Sequence, residues 1–502
     1  MNILLVNAPS RRGSGGFSVP MGLLYAGAIM ERCGHQARII DPYLNDRELE
    51  RFDGGDFKEI DRAVEELRPR VIGYGGIATS YGRAKRLSRH LREKFPGIIH
   101  VAGGPLASTA PWLLEQAGLD AVFHGETETS LPLFLERVSQ GQSWTEVPGI
   151  SWLKDGKAQR NAPPPQIENL DSIPLPAYHL IDVAAYGRSL ADWSGSYGQA
   201  IKEIPGLAER AAKLTRHGDR YIPIITSRGC THRCLFCYRH VKGVRRHSVG
   251  YVLAHMRLLK ERYGFQGFLV SDELFNSDTQ WVRDFCSALE REMPGLFYIV
   301  AGARVDKVDE ALLSRLRDTG CLEIGFGHES GSDQVLRQFC KGATAAQNRD
   351  MTLLARRIGL HAPIQIVIGA PAETRETISE TIRFLEEISA PQVSVNYLIA
   401  LPETPVWKTI EERGLVKDVE SYLDEVADCG GGPLLNLTAA PDREWANWCF
   451  LIQREVDLRS RRKAGLPRYV LAMLAYKASG LVPGNLRRLV PAPVKRLIKR
   501  IV

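Results

Sequence analysis

The feature that most constrains this chain is a repeated alternation of short apolar segments with longer amphipathic ones. In the first 140 residues the apolar runs are Ile3–Val6, Ala37–Ile40, Val71–Tyr74, Ile98–Ala102 and Ala121–Phe123. The helix-like stretches between and after them are Met21–Arg32, Ile60–Leu67, Tyr81–Lys94 and Leu131–Ser139. Short strands that alternate with helices form βαβ units around a parallel sheet. We therefore predict a flavodoxin-like (Rossmann-type) domain over residues 1–145, which would bind a ligand at the carboxyl ends of its strands.

A second alternating series begins at Tyr221. Its strand-like runs are Ile222–Thr226, Gly267–Val270, Leu296–Val300, Leu322–Phe326, Ile364–Ile368 and Val393–Ile399. Six such units suit a partial (β/α)6 barrel over residues 221–412, with its chemistry at the carboxyl ends of the strands. Proline-rich segments predict a connector over residues 146–220. Residues 413–502 form the remaining, helical and basic C-terminal region.

The charge of the chain is concentrated at one end. Residues 459–502 contain twelve Lys or Arg and no Asp or Glu, so a net charge of +7 becomes −5 for residues 1–458. A mildly acidic body argues against nucleic-acid binding. The nine cysteines are an odd number, which favours reduced thiols over a disulfide scaffold. With no apolar run long enough to span a membrane and no signal peptide, we expect a cytoplasmic protein.

The first strand of the second series ends in a cysteine motif. Cys230, Cys234 and Cys237 have the spacing C-x3-C-x2-C. Three thiolates can hold three corners of an iron–sulfur cluster, and an iron without a protein ligand is then free to bind a substrate. Two alternatives are a zinc site completed by His232 or His240, and chance clustering of ordinary cysteines.

With this motif placed on a βα series, the sequence resembles the radical S-adenosylmethionine (SAM) superfamily. The resemblance is to the class with an N-terminal cobalamin-binding domain, and it extends from residue 1 to about residue 410. It implies a [4Fe–4S] cluster on the three cysteines, SAM and cobalamin as further cofactors, and an external electron donor of the flavodoxin or ferredoxin type.

The resemblance also implies residues that contact SAM. They follow the cysteines or the ends of later barrel strands, and they are Phe236, Tyr238, Asp272, Arg304, Glu329 and Ser330. A guanidinium matches a carboxylate, so Arg304 would pair with that group of SAM. Two alternatives remain open: Asp272 and Arg304 form a salt bridge across the barrel mouth, or Glu329 caps the fourth helix.

Small and polar residues follow the strands of the N-terminal sheet. By the same resemblance the cobalamin-binding residues are Ser10, Thr79, Ser80, Gly103, Gly104, Gly125 and Glu126. Glycine lets the backbone approach a ligand closely, although these glycines also suit ordinary tight turns. Many cobalamin domains carry D-x-H-x-x-G, whose His binds cobalt. The first loop here, residues 7–13, has no His, which would leave the lower face of the corrin open or water-bound.

Three functions are compatible with these features. The first is methyl transfer to an unactivated carbon through a 5′-deoxyadenosyl radical and methylcobalamin. The second is a radical cyclisation, rearrangement or oxidation of the anaerobic magnesium-protoporphyrin cyclase type, and the third is a non-catalytic metal or cobalamin sensor. The basic tail interleaves Lys and Arg with apolar residues, which predicts either peripheral contact with the inner membrane surface or a cap on the barrel. Membrane contact would favour a lipid-like rather than a polar small-molecule substrate.

Overall fold

The computed structural model describes residues 1–8, 19–42, 46–189, 198–214, 219–239, 241–390, 392–426 and 434–463. Its N-terminal part is built on one sheet with the strand order β2-β1-β3-β4-β5-β6-β7. The strands are β1 (Asn2–Asn7), β2 (Gln36–Ile40), β3 (Val71–Gly75), β4 (Ile99–Ala102), β5 (Ala121–Phe123), β6 (Ile150–Lys154) and β7 (Lys157–Arg160). The first five are parallel, and their order is that of a flavodoxin-like fold.

Helices cover both faces of this sheet. They are α1 (Met21–Arg32), α2 (Asp46–Asp53), α3 (Lys58–Leu67), α4 (Tyr81–Lys94), α5 (Ala110–Glu115) and α6 (Thr127–Ser139). Successive residues of a strand point to opposite faces. Accordingly, Ile3 and Leu5 pack in one apolar core with α1 and α6, while Leu4 and Val6 pack in another with α3 and α4.

Residues 146–220, which we expected to form a connector, contribute strands to the N-terminal sheet and to the barrel sheet. Strands β6 and β7 form an antiparallel hairpin on β5, so the N-terminal sheet continues past residue 145. After this hairpin come α7 (Val183–Tyr186), β8 (Arg188–Ser189), α8 (Gly198–Glu203) and α9 (Leu207–Leu214). Strand β8 pairs antiparallel with the first barrel strand. The proline-rich segments correctly indicated loops, but the hairpin lacks the apolar run by which we predicted the other strands.

The second part contains the six parallel strands predicted for a partial barrel, and the α/β fold class is confirmed. These strands are β9 (Arg220–Ile224), β12 (Gly267–Val270), β13 (Phe297–Ala303), β14 (Cys321–Phe326), β15 (Gln365–Ile368) and β16 (Ser394–Tyr397), with a small antiparallel pair formed by β10 (Ser227–Arg228) and β11 (Arg245–Arg246). Helices α10 (Val249–Tyr263), α11 (Thr279–Glu292), α12 (Glu310–Asp318), α13 (Asp333–Gln338), α14 (Ala345–Ile358) and α15 (Arg375–Glu387) alternate with them. Two single bridges connect this part of the barrel: Glu323 of β14 pairs with His361, which precedes β15, and Glu329, which follows β14, pairs with Ile366 of β15.

Three helices follow the barrel: α16 (Pro405–Arg413), α17 (Val419–Glu425) and α18 (Asp442–Lys463). Trp445, Trp448 and Ile452 of α18 are buried in a core with the β15–β16 pair. No helix in the described part of the chain is long and apolar enough to span a membrane. Most of the basic tail lies outside the described residues, since the description ends at Lys463.

Candidate functional site

The cysteine motif lies on a loop, residues 229–243, that we call the cluster loop. Strands β10 and β11 pair across its base, with Ser227 opposite Arg246 and Arg228 opposite Arg245. Gly229 begins the loop with a φ of +86°, and a Cβ atom there would approach the carbonyl oxygen of Gly243 more closely than 3.0 Å. Only glycine therefore lets the chain turn into the loop at this point.

The three thiols differ in exposure. Cys234 is buried, Cys230 is half-buried and Cys237 is exposed. A hydrogen bond from the Cys237 thiol, helped by the positive charge of Lys341, lowers the pKa of Cys234, whereas burial raises the pKa of Cys230. Thiolates are the ligands that an iron–sulfur cluster needs, so the donor set fits a cluster with one open iron.

A zinc ion would need a different arrangement. Within the described part of the chain, no three His, Cys, Asp or Glu side chains are arranged to hold a single metal ion. In a cubane cluster, by contrast, each cysteine binds its own iron at a separate corner. His232 is beside Arg304 and Lys341, and its pKa is lowered by burial first and then by these charges. His240, the other proposed zinc ligand, lies outside the described residues.

Asp272 is buried at the end of β12 and faces the cluster-loop base. Its carboxylate accepts hydrogen bonds from the backbone N–H of Thr226 (2.7 Å) and of Ser227 (3.1 Å), and from both of their hydroxyls. These four bonds occupy both oxygens. Asp272 therefore fixes the chain that leads into the cysteine motif, and its predicted contact with SAM stays a prediction that the geometry does not favour.

Arg304 is also engaged by the protein. Its guanidinium donates to Asp306 (2.7 Å) and to the carbonyl oxygens of Lys341 and Gly342. The alternative of a salt bridge with Asp272 is wrong, because the partner of Arg304 is Asp306. Arg304 ties the end of β13 to the chain after α13, so pairing with the carboxylate of SAM would require it to exchange partners.

Glu329 and Ser330 precede the fourth barrel helix rather than cap it. Helix α13 begins at Asp333, and Glu329 has a φ of +60° and an ion pair of 2.8 Å with Lys341. The alternative that Glu329 is a capping residue is therefore wrong. Ser330 is fully buried, and its hydroxyl lies 3.2 Å from that of Thr381. Their contact with SAM remains a prediction.

The two aromatic residues of the motif pack against different elements. The ring of Phe236 lies edge-on to that of Phe339, with centroids 5.0 Å apart. Burial, followed by the charge of Glu403, raises the pKa of Tyr238. Glu403 in turn pairs with Arg160 of β7 at 2.7 Å. Tyr238 therefore lies where the N-terminal sheet meets the cluster loop.

Glu273 is a candidate that the sequence analysis missed. Its side chain is exposed, borders the cavity described below, and accepts a hydrogen bond from the backbone N–H of Gly229. Burial of part of the side chain raises its pKa, and its charge reaches Cys230. The neighbouring Asp272 faces away, so Glu273 is the acidic residue of this segment that a ligand beside the cluster loop can contact.

A cavity of about 610 Å³ lies between the N-terminal sheet and the barrel, and we call it the domain cavity. Its walls are the carboxyl-end loops of the N-terminal sheet and, from the barrel, Ile225, Arg228, Val241 and Glu273. Of the residues predicted to bind cobalamin, those that line it are Ser80, Gly103, Gly104, Gly125 and Glu126. Thr79 is buried beside Ser80 without lining the cavity, and Ser10 lies outside the described residues.

The walls of the domain cavity suit a large ligand with polar edges. The hydroxyls of Thr79 and Ser80 are buried, and neither has a hydrogen-bond partner among the described residues. Buried hydroxyls are normally paired, so a ligand group is a fitting partner for Ser80. A Cβ at Gly76 would lie 3.0 Å from the Ser80 hydroxyl and 3.1 Å from the carbonyl oxygen of Ala8, which explains glycine on this wall. The cavity therefore fits part of a corrinoid.

Glu126 has a second role at the rim of this cavity. Its carboxylate receives two hydrogen bonds from Arg245, at 2.8 and 2.9 Å, and one from Arg228 at 3.3 Å. Arg228 also pairs with Glu128 at 2.6 Å and lies over the ring of Tyr25. These ion pairs join the N-terminal sheet to strands β10 and β11 at the base of the cluster loop. The carboxylate of Glu126 therefore mainly binds arginines of the barrel domain.

Comparison with known proteins agrees with both halves of this arrangement. Residues 224–385 match the radical SAM superfamily, and residues 12–135 match the B12 binding domain. An uncharacterized methyltransferase of Pyrococcus horikoshii is 27% identical over 81% of this chain and 83% of its own length. The cytidylyl-2-hydroxyethylphosphonate methyltransferase of Streptomyces wedmorensis is 27% identical over 80% and 79%.

More distant similarities cover the same two domains. An anaerobic magnesium-protoporphyrin IX monomethyl ester cyclase of Rubrivivax gelatinosus is 23% identical over 72% of this chain and 62% of its own length. The structure of the radical SAM methyltransferase TsrM from Kitasatospora setae, with cobalamin and a [4Fe–4S] cluster bound, has the same fold: the TM-score is 0.63 at 18% identity, covering 82% of this chain and 75% of that one. The chain therefore belongs to the radical SAM superfamily, in the class with an N-terminal cobalamin-binding domain, and it is an enzyme whose cofactors are a [4Fe–4S] cluster, SAM and cobalamin.

Proposed function

We propose that this enzyme transfers a methyl group to an unactivated carbon of a small molecule. The observation that carries the proposal is the domain cavity, which the cobalamin-binding loops and the residues around the cluster loop line together. When bound, the cluster and SAM supply a radical that removes a hydrogen atom, and cobalamin supplies the methyl group. A shared cavity lets one substrate atom meet both groups without leaving the protein, which is the benefit of proximity in catalysis.

The residues of the chain divide into contacts and supports. Cys230, Cys234 and Cys237 would hold the cluster. The carboxylate of Glu273 would accept a hydrogen bond from the ammonium group of SAM. Phe236, Tyr238, Glu329 and Ser330 would line the rest of the SAM site. Asp272 and Arg304 would not contact SAM themselves. Their hydrogen bonds fix the segments that carry the residues in contact with SAM.

The test is an anaerobic assay with trideuteromethyl-labelled SAM, a reductant and extracts that contain candidate substrates. Methyl transfer should yield 5′-deoxyadenosine, S-adenosylhomocysteine and a product that carries the label. If a product forms with 5′-deoxyadenosine but without the label, the enzyme is of the cyclase or rearrangement type, and the methyl-transfer proposal is wrong.

The role of Glu273 is tested by binding rather than by turnover. Glu273→Gln should weaken SAM binding in an equilibrium dialysis experiment by about tenfold, since one charge-assisted hydrogen bond is worth about 1.5–3 kcal/mol. Iron content should stay unchanged. Glu261→Gln, at an exposed position on α10, is the control. Equal SAM affinity in both variants would remove Glu273 from the SAM site.

We also propose that an acidic flavodoxin- or ferredoxin-type protein reduces the cluster. Residues 228–246 contain six Lys or Arg and no Asp or Glu, and Arg233, Arg239 and Lys242 are exposed. Exposed charges mainly raise the association rate and are screened by salt. The double variant Arg233→Glu/Lys242→Glu should slow reduction by a purified flavodoxin but not by dithionite, and Lys58→Glu on α3 should change neither. Equal rates with flavodoxin would exclude this surface.

For the basic tail we propose peripheral contact with anionic membrane, a location at the inner face of the cytoplasmic membrane and a lipid-like substrate. Residues 464–502 contain eight Lys or Arg and no Asp or Glu, which supports the contact, at up to about 1 kcal/mol each near the surface. Since α18 extends to Lys463, the truncation that spares the fold ends there. It should lose co-sedimentation with phosphatidylserine vesicles and keep SAM cleavage. Full-length protein that ignores such vesicles at low salt would refute the contact.

A further inference from the structure

The segment after the barrel contacts the cluster loop. Helix α16 begins at Pro405, and the backbone N–H of Val406 donates to the carbonyl oxygen of Leu235 at 2.9 Å. Leu235 lies between Cys234 and Phe236, and its own N–H donates to the carbonyl oxygen of Phe339 at 3.0 Å. The start of α16 is thus hydrogen-bonded to the chain between two cluster ligands.

The same segment also packs on the cobalamin-binding domain. Leu423 of α17 is 1% exposed and belongs to the apolar core between the N-terminal sheet and α4. Lys85 of α4 pairs with Glu420 at 2.9 Å and with Asp424 at 2.5 Å, and only 11% of its side chain is exposed. A Cβ at Gly82 would lie 2.9 Å from a carboxylate oxygen of Asp424, so the two helices are in close contact.

Helix α4 is continuous with a wall of the domain cavity. A short 3-10 turn, Ala78–Ser80, leads directly into it, and Ser80 lines the cavity. Helix α17 contacts this turn as well as α4. Fixing α17 against α4 therefore fixes the position of that wall.

Helices α16 and α17 behave as one packed unit. The rings of Trp407 and Tyr422 lie 5.7 Å apart, and the Tyr422 hydroxyl donates to the carbonyl oxygen of Ala400 at 2.8 Å. Ile410 is 1% exposed in the same core. Displacement of one end of this unit is therefore transmitted to the other, because close-packed interiors deform little.

We propose that α16 and α17 form a strut between the cluster loop and the wall of the domain cavity that carries Ser80, which we call the cobalamin wall. The strut holds this wall at a fixed position relative to the cluster loop, and Lys85 is the positioning residue that anchors it. The inference rests on the proposed function only in that both cofactors act on one substrate. Loss of Lys85 removes both ion pairs and leaves the two partly exposed carboxylates of α17 facing α4 without a counter-charge, so it should loosen α17 from α4. The cluster loop keeps its own support from Phe339 and from β10 and β11.

The decisive comparison is Lys85→Met with Arg92→Met in the full-length holoenzyme. Arg92 lies on the same helix and pairs with Asp120 at 2.8 Å, away from α17, so its loss removes an ion pair without touching the strut. Lys85→Met should release cobalamin about tenfold faster into an excess of a competing apo-protein, which corresponds to about 1.4 kcal/mol. It should retain its iron and still form 5′-deoxyadenosine, while the ratio of methylated product to 5′-deoxyadenosine falls.

Two further variants keep the result interpretable if Lys85→Met does not fold correctly. Glu420→Gln/Asp424→Asn removes the same contacts from partly exposed positions and should reproduce the faster release, and Lys85→Arg should restore slow release. Wild-type release rates in both Lys85→Met and the double variant, or equally fast release in Arg92→Met, would overturn the strut. Absence of labelled product from the wild-type enzyme would instead overturn methyl transfer, since cobalamin release is measured without turnover.

Discussion

Two glycines at the ends of the cluster loop allow a matched test of its geometry. Gly229 and Gly243 both have positive φ, at +86° and +71°. A Cβ at Gly229 would overlap the carbonyl oxygen of Gly243, whereas a Cβ at Gly243 would meet nothing within 4 Å. Alanine at either position therefore carries the same backbone strain, and only one of the two variants carries a steric conflict.

The difference in cost follows from these contacts. A left-handed conformation costs a non-glycine residue about 1–2 kcal/mol, which both variants incur. Gly229→Ala must also push the loop ends apart against the pairing of β10 with β11 and the bridge between Cys230 and Lys242. Losing two of these backbone hydrogen bonds adds about 1–3 kcal/mol. We expect Gly229→Ala to cost about 2–5 kcal/mol locally and Gly243→Ala about 1–2 kcal/mol.

The assay is iron and sulfide per chain after anaerobic reconstitution, with thermal unfolding measured in parallel. Gly243→Ala should take up a full cluster. Gly229→Ala should take up less than half as much, because opening the base of the loop separates Cys230 from Cys234 and Cys237. Equal iron content and equal stability in the two variants would refute the close approach on which the argument depends.

Three more changes probe the surroundings of the site. Glu373 is buried, which raises its pKa to about 8. The folded state therefore holds the proton of Glu373 more tightly than the unfolded chain does. The resulting stabilisation is complete below about pH 4.5 and is lost as pH rises towards 8. Compared with Glu373→Gln, the wild type should lose about 1.4 kcal/mol of unfolding free energy per pH unit within that range, and an equal pH profile in denaturant titrations would contradict this. Leu423→Ala should cost about 2–5 kcal/mol in the same titrations, and Leu415→Ala, at a position 38% exposed, less than about 0.5 kcal/mol; similar costs would mean that α17 is not docked. Asp272→Ala should cost about 3 kcal/mol and reduce iron uptake, because four donors lose their acceptor, while Asp272→Asn should retain most of the iron; unchanged uptake in the alanine variant would remove Asp272 as a support of the loop.

Periodicity and length identified the elements of both domains because their strands are buried on both faces. Such strands appear as continuous apolar runs, and the predicted Met21–Arg32, Tyr81–Lys94 and Gly267–Val270 have the bounds of the observed elements. The hairpin β6–β7 escaped prediction because it is an edge addition without a continuous apolar run: Ser151 interrupts the apolar residues of β6, and β7 is mostly exposed and polar, including Lys157 and Arg160.

The cofactor site was predictable only where a motif fixes the chemistry. The cysteine spacing predicts the cluster ligands without a structure. Asp272 and Glu273 could not be ranked, because adjacent residues after a strand face opposite sides and the strand ends two residues earlier, at Val270. Nothing in the sequence pairs Lys85 with Asp424, which lies 339 residues away, since long-range ion pairs leave no periodic pattern.

The contacts between the two domains fix the positions of the walls of the domain cavity. On one rim Glu126 and Arg245 pair with side chains 8% and 12% exposed, and on another face Lys85 is held by α17. Breaking one partner of a buried pair such as Glu126 with Arg245 typically costs about 3–5 kcal/mol, and the partly exposed carboxylates that hold Lys85 add less. A domain rotation that opened both contacts would therefore be expensive compared with ordinary loop motion. Because the cluster loop and the cavity wall that carries Ser80 are each attached to these contacts, the fold itself holds the cluster loop and that wall at a fixed separation. Motion of the loops that border the cavity is therefore less costly than separation of the two domains.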